Sequence, residues 1–233
     1  MKSHITEKSR VYLRDCVEAM KEYPDKYFDL AVVDPPYGIG FGEYNRGTKP
    51  NNNGKYKENG GKYKGNRYKN SNWDDKIPSD EYFLELQRVS KNQIIWGGNY
   101  FPYLWLKGCK GFIYWHKGNP VPNFADGELA WTSFNKVAKQ FNYRYYGNIQ
   151  GETNAEDKIH PTQKPVALYD WIFHNYSEPG QKILDTHLGS ASSRISADKA
   201  GLDFTGFEID EEYFDDGVKR YRTYKSQLVM ELV

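Results

Sequence analysis

The tetrapeptide Asp34-Pro35-Pro36-Tyr37 follows the apolar run Leu30-Ala31-Val32-Val33, so a carboxylate, a carbonyl outside any ladder and an aromatic face lie within four residues. That set suits a flat, neutral substrate carrying an exocyclic amino group. Asp34 can accept one amino hydrogen and the Pro35 carbonyl the other, which draws the nitrogen toward a tetrahedral, lone-pair-bearing geometry. Tyr37 can hold the ring by stacking, worth roughly 1–3 kcal/mol. Val32 and Val33 favour a buried strand, and the two prolines, which lack an N–H and fix their own φ, end it at Asp34. A carboxylate at the carboxyl end of a buried strand sits where open α/β sheets place ligands. The same residues also fit a plain strand closed by an Asx-Pro turn.

A second constellation lies near the carboxyl end. Lys182 to Asp185 reads as a strand, Thr186-His187-Leu188-Gly189-Ser190-Ala191 as a turn of mostly small residues, and Ser192 onward as a helix whose amino terminus would point at a ligand. Gly189 permits close backbone approach. Glu208 closes the next strand at near the roughly 20-residue spacing expected of a carboxylate that accepts from ribose hydroxyls. Between the two constellations stands His160-Pro161-Thr162-Gln163-Lys164-Pro165, a proline-framed loop before a helical run.

The Asp34–Tyr37 tetrapeptide resembles motif IV of the S-adenosylmethionine-dependent amino-group DNA methyltransferases. Its Asp-Pro-Pro-Tyr form is closest to the adenine-specific branch, since the cytosine enzymes usually carry Ser in place of the Asp. The run from His160 to Pro165 matches motif X, which lies over the methionine portion of the cofactor, and six consecutive matches make it the most specific of these signals. The turn after Asp185 resembles motif I with departures: Thr186, His187 and Ala191 stand where the family commonly has Pro, Phe and a second Gly. Leu13 to Met20 is similar to the segment that borders the cofactor's adenine. Asp15 there could accept from that adenine or simply cap a helix.

The motif order is the permuted arrangement of the family's β group. It implies an α/β fold, Rossmann-like, with a mixed, mostly parallel sheet and helices on both faces, in one domain over 1–233. The implied cofactor is S-adenosylmethionine, held by Asp15, Asp34, Thr162, Gln163, Lys164, Asp185, His187, Gly189, Ser190 and Glu208, with Lys164 offsetting the cofactor's carboxylate. Asp34, Pro35, Pro36 and Tyr37 are the implied catalytic set. The partner is double-stranded DNA, from which an adenine would be flipped. A homodimer is compatible with the resemblance, which is silent on a companion restriction endonuclease. Methylation of cytosine N4 or of RNA adenine stays open, as does a catalytically weak DNA-binding protein in which Ala191 impairs cofactor binding.

The elements that must carry these residues follow from patterning. Ser79 is a candidate cap for a helix with Tyr82, Phe83, Leu86 and Val89 at helical spacing, and Gln93 to Trp96 reads as a buried strand ending in glycines. Gly111 to His116 and Glu128 to Phe134 read as further strands, Val166 to Tyr176 as a helix, and Leu202 to Phe207 as a strand before a last helix reaching toward Tyr224. Val11 to Met20 fits either period. The family resemblance implies a target-recognition role for about 117–157.

Composition narrows the classes. The 233 residues are 16% aromatic with a mean hydropathy of −0.86, and no apolar run approaches a membrane span, so a soluble, cytoplasmic protein is expected. Cys16 and Cys109 are isolated and expected to be reduced and buried, and no histidine pattern suggests a metal. Net charge is only +1, but residues 43–72 hold eight cations against Glu43 and Glu58, leaving the remainder acidic. Tyr44, Tyr56, Tyr63 and Tyr68 are interleaved with the lysines, and Leu, Ile, Val, Phe and Trp are absent. Such a stretch is expected to be a flexible loop that either neutralises phosphates or is merely solvated.

Overall fold

A computed structural model of the chain describes residues 1–40, 74–106, 108–119, 125–146, 149–150 and 158–231. The basic stretch 43–72 lies outside them. The described residues build a nine-stranded sheet from β1 (Ser3–Ile5), β2 (Ser9–Leu13), β3 (Phe28–Val33), β4 (Ser90–Trp96), β5 (Phe112–His116), β6 (Gly127–Thr132), β7 (Lys139–Asn142), β10 (Lys182–Asp185) and β11 (Asp203–Glu208). A separate antiparallel pair, β8 (Tyr145–Tyr146) and β9 (Ile149–Gln150), completes the strands. The main sheet runs β1-β2-β11-β10-β3-β4-β6-β5-β7, with β1 and β6 antiparallel to their neighbours. Among the described residues no helix is long and apolar enough to cross a bilayer.

Both faces are covered because β3 alternates two apolar sets. Leu30 and Val32 join a core with residues of α4 (Val166–Tyr176), α5 (Ser192–Lys199) and α6 (Glu211–Glu231). Ala31 and Val33 join the opposite core, with α1 (Cys16–Met20), α2 (Asp80–Val89) and α3 (Pro102–Trp105). A strand buried on both sides reads as the continuous apolar run seen in the sequence.

The chain leaves β3 through α2 to β4 on one side, and leaves β10 through α5 to β11 on the other. Strand order therefore reverses at the β10–β3 boundary, where the two strands pair in parallel with Leu184 opposite Ala31. The carboxyl ends on either side of that crevice are Asp185 and Asp34, the position where such sheets bind ligands.

Several expectations need adjusting. The ambiguous stretch 11–20 is a strand and then a helix, with Asp15 capping α1 by accepting from Glu18 N at 3.0 Å. β6 ends at Thr132, and α6 runs on to Glu231. Segment 117–157 places β6 and β7 within the main sheet. Cys16 and Cys109 are free but half-buried, not buried. Burial pushes the Cys16 thiol up to about 12, which makes it a poor nucleophile.

Candidate active site

A cavity of about 340 Å³ opens at the crevice, within the range typical of small-ligand sites. Ten of the residues singled out in the sequence line it: Asp15, Asp34, Pro36, Thr162, Gln163, Lys164, His187, Gly189, Ser190 and Glu208. Pro35, Tyr37 and Asp185 stand behind its wall. His160, the first residue of the motif X run, lines it too, as do Arg14, Tyr169 and Tyr213, which sequence patterning did not single out as site residues. His160 lies in the proline-framed loop and packs on Tyr213 with ring centroids 4.3 Å apart.

Glu208 ends β11 and binds the cofactor turn to the next one. Its carboxylate accepts from Gly189 N at 2.8 Å, Ile209 N at 2.9 Å and Asp210 N at 3.0 Å. Burial raises its pKa and these donors oppose the rise. Asp185 is buried and accepts from His187 N at 3.0 Å and Ser193 Oγ at 2.5 Å, so it shapes the turn from beneath, and burial pushes it up to about 7. Arg220 of α6 donates to the Ser190 carbonyl at 2.7 Å and to Ser192 Oγ at 2.8 Å.

Ala191 takes the left-handed conformation usually reserved for glycine, with φ +60°, and starts α5. It is buried but does not line the cavity. α6 fits behind it at Gly217, where a Cβ would lie 3.4 Å from that of Ala191 and 3.2 Å from the Gly189 carbonyl.

At the other end of the cavity Asp34 Oδ1 accepts from the Tyr37 hydroxyl at 2.6 Å, and Oδ2 accepts from Lys164 Nζ at 2.5 Å. The Lys164 ammonium, expected beside a cofactor carboxylate, is instead held by the Asp34 carboxylate, with Glu128 Oε2 3.1 Å away, although its side chain still lines the cavity. Burial works against the charge on Lys164, but Asp34 and Glu128 outweigh it and raise its pKa. Burial raises Asp34 in turn, with Lys164 pulling the other way. Glu128 pairs also with Lys117.

The turn itself is fixed by Asp74, which accepts from Tyr37 N at 2.7 Å and Gly38 N at 3.0 Å and whose own carbonyl accepts from Gly40 N at 3.0 Å. The Tyr37 ring lies against Gly97, which follows β4 with φ +69°; a Cβ there would come within 2.2 Å of it. Tyr100 stacks on Tyr37 at 5.0 Å and 14°.

The lining carboxylates Asp15, Asp34, Glu208 and Asp210 face only two lining cations among the described residues, Arg14 and Lys164. Both are already paired, Arg14 with Glu22 at 2.8 Å. An acidic cavity suits a ligand of net positive charge, which S-adenosylmethionine is, with its sulfonium and ammonium groups against one carboxylate. Glu208 Oε1 is filled by two amides, which leaves one acceptor site, on Oε2, for a ligand hydroxyl.

A family model described as a DNA methylase, of the N6/N4 type, matches residues 131–219, from β6 into α6. The chain is 26% identical over 270 residues to the type II methyltransferase M.HinfI of Haemophilus influenzae, covering 97% of this chain and 72% of that one. It is 23% identical over 243 residues to the type II methyltransferase M2.MboI of Moraxella bovis, covering 91% and 86%. The chain is thus similar to the N6/N4 DNA methylases over its carboxyl half, and to two type II methyltransferases over nearly its whole length. Solved structures show the same class I fold. The complex of M1.HpyAVI with SAM superposes with a TM-score of 0.55 at 20% identity, covering 91% of this chain and 99% of that one. The PvuII DNA methyltransferase, cytosine-N4-specific, superposes with 0.60 at 14% identity, covering 95% and 91%.

Proposed function

We propose that the chain transfers a methyl group from S-adenosylmethionine to the exocyclic N6 amino group of adenine in double-stranded DNA. The observation that carries this reading is one cavity bounded by Glu208 and the Gly189 turn at one end and by the Asp34 carboxylate at the other. The bound cofactor supplies an electrophilic methyl on a sulfonium. Glu208 Oε2 would accept from a ribose hydroxyl and Asp15 would border the adenine of the cofactor, while Thr162 and Gln163 would close the cavity over it. Asp34 and the Pro35 carbonyl accept the two hydrogens of the target amine and direct its lone pair into the cavity. The reaction is a direct displacement, so positioning supplies most of the effect.

The target nitrogen is paired within a duplex, and the base must leave the stack to reach Asp34. Asp in place of the Ser usual in cytosine enzymes favours adenine. Target choice falls to the segment 117–157, and phosphate neutralisation to the cations of 43–72. The test is to incubate the protein with unmethylated genomic DNA and labelled cofactor and then identify the modified nucleoside by mass spectrometry. N6-methyladenine is expected. N4-methylcytosine as the sole product would move the specificity to cytosine, and label in RNA alone would remove DNA as the substrate.

A further inference from the structure

Four buried or half-buried charges run in alternation from the catalytic turn to β6: Asp34, Lys164, Glu128 and Lys117. Lys164 is 4% exposed at its side chain, and its Nζ has three oxygens in reach, Asp34 Oδ2 at 2.5 Å, the Tyr37 hydroxyl at 3.1 Å and Glu128 Oε2 at 3.1 Å. The first two are aligned hydrogen bonds. Glu128 Oε2 is buried and receives none, while Lys117 holds the other oxygen. Glu128 Oε2 thus meets the ammonium as an ion pair without an aligned hydrogen bond, while the shortest bond of Nζ goes to Asp34.

An ammonium on Asp34 opposes the chemistry assigned above. As the new N–C bond forms, positive charge develops on the target nitrogen, and a carboxylate helps only to the extent that its own charge faces that nitrogen. Lys164 neutralises Asp34 and would repel the developing cation. Resting on the methyltransferase reading, the geometry points to Glu128 as a positioning residue that draws Lys164 off Asp34 when the target amino group arrives, leaving Asp34 Oδ2 to accept from that group. Both acceptors already lie within reach of Nζ, so the transfer needs rotation at the end of one side chain and no backbone movement. The charge of the four groups is unchanged; only its location shifts. Glu128 stays ionised throughout, because Lys164 and Lys117 overcome its burial and hold it at about 2.

Two measurements test this. In the first, thermal unfolding is compared for the wild type, Asp34→Asn, Glu128→Gln and the double variant, without cofactor or DNA. Each single variant leaves Lys164 one carboxylate, whereas the double variant buries it with none, so the double melts lower than the sum of the two single shifts. Additive shifts would overturn the shared ammonium. In the second, methyl transfer to unmethylated genomic DNA is followed for Glu128→Gln and Glu128→Asp. We expect Glu128→Gln to lose about tenfold or more in kcat, with the calorimetric Kd for S-adenosylmethionine within about twofold of wild type, and Glu128→Asp to recover part of the loss. Wild-type kcat in Glu128→Gln, or a matching loss of cofactor affinity, would overturn the positioning role. Non-additive melting across the four proteins, together with a wild type that transfers no methyl group, would instead overturn the methyltransferase reading.

Discussion

Glu208 accepts from three main-chain donors at once and still faces the cavity, so one side chain both shapes the Gly189 turn and lines the candidate site. Replacing it by Ala should weaken S-adenosylmethionine binding by roughly 1–3 kcal/mol, as for hydrogen bonds to a charged group, and should lower the melting temperature as well. Calorimetry and thermal unfolding read the two effects, and unchanged affinity would remove Glu208 from the site. Asp34→Ala should separate the functions differently. Methyl transfer should vanish while cofactor affinity stays within about threefold, since Asp34 is assigned to the target amine; a large loss of affinity would reassign it to the cofactor. Both carboxylates were legible from the sequence because each ends an apolar strand ahead of a turn. The partner of Lys164 was not, for Asp34 lies 130 positions away and only the reversal of strand order brings them together.

Left-handed residues shape the surroundings of the site, Ala191 and Gly97 among them. Ala191 pays, by its φ of +60°, a cost of roughly 1–2 kcal/mol that glycine would avoid, yet its methyl lies toward α6 and off the cavity. Ala191→Gly should therefore leave cofactor affinity unchanged and stability within about 1 kcal/mol, relief of strain being offset by the freer unfolded chain. A tenfold or so gain in affinity would show that the methyl does obstruct the ligand. Gly97→Ala should act the opposite way. Its Cβ would meet the Tyr37 ring at 2.2 Å, so the ring must shift and methyl transfer should fall much further than cofactor affinity, which a turnover assay beside calorimetry would check. Element types were readable where one period persisted, as in α2 and α4. They were not at 11–20, where the period changes from two to 3.6 at Asp15, nor at β7, whose residues are mostly exposed and carry little alternation.

Across the whole molecule the site imposes a pH dependence on stability. Burial lowers His187 to about 4, so between about 6.5 and 4 the unfolded chain takes up a proton that the folded one refuses. The stabilisation is complete above the unfolded value and is lost as pH falls toward 4. In His187→Asn the stability lost over that interval should be smaller than in the wild type by on the order of 3 kcal/mol at most, measured by urea unfolding at pH 6.5 and 4.5; an equal loss would mean that the imidazole titrates normally. Charge placement supplies a second test on the same scale. Replacing Lys55, Lys57, Lys62 and Lys64 by Ala should flatten the slope of log K for DNA against log salt by up to ~3.6, without changing the target sequence. An unaltered slope would put the duplex elsewhere.

The chain departs the catalytic turn at Gly40 and is back at Asp74 across a single hydrogen bond, with the Asp74 carboxylate gripping the amides of Tyr37 and Gly38. Departure and return thus share one anchorage. A change between Gly40 and Asp74 that keeps Asp74 is therefore expected to leave these three bonds, and with them the seat of Tyr37, in place.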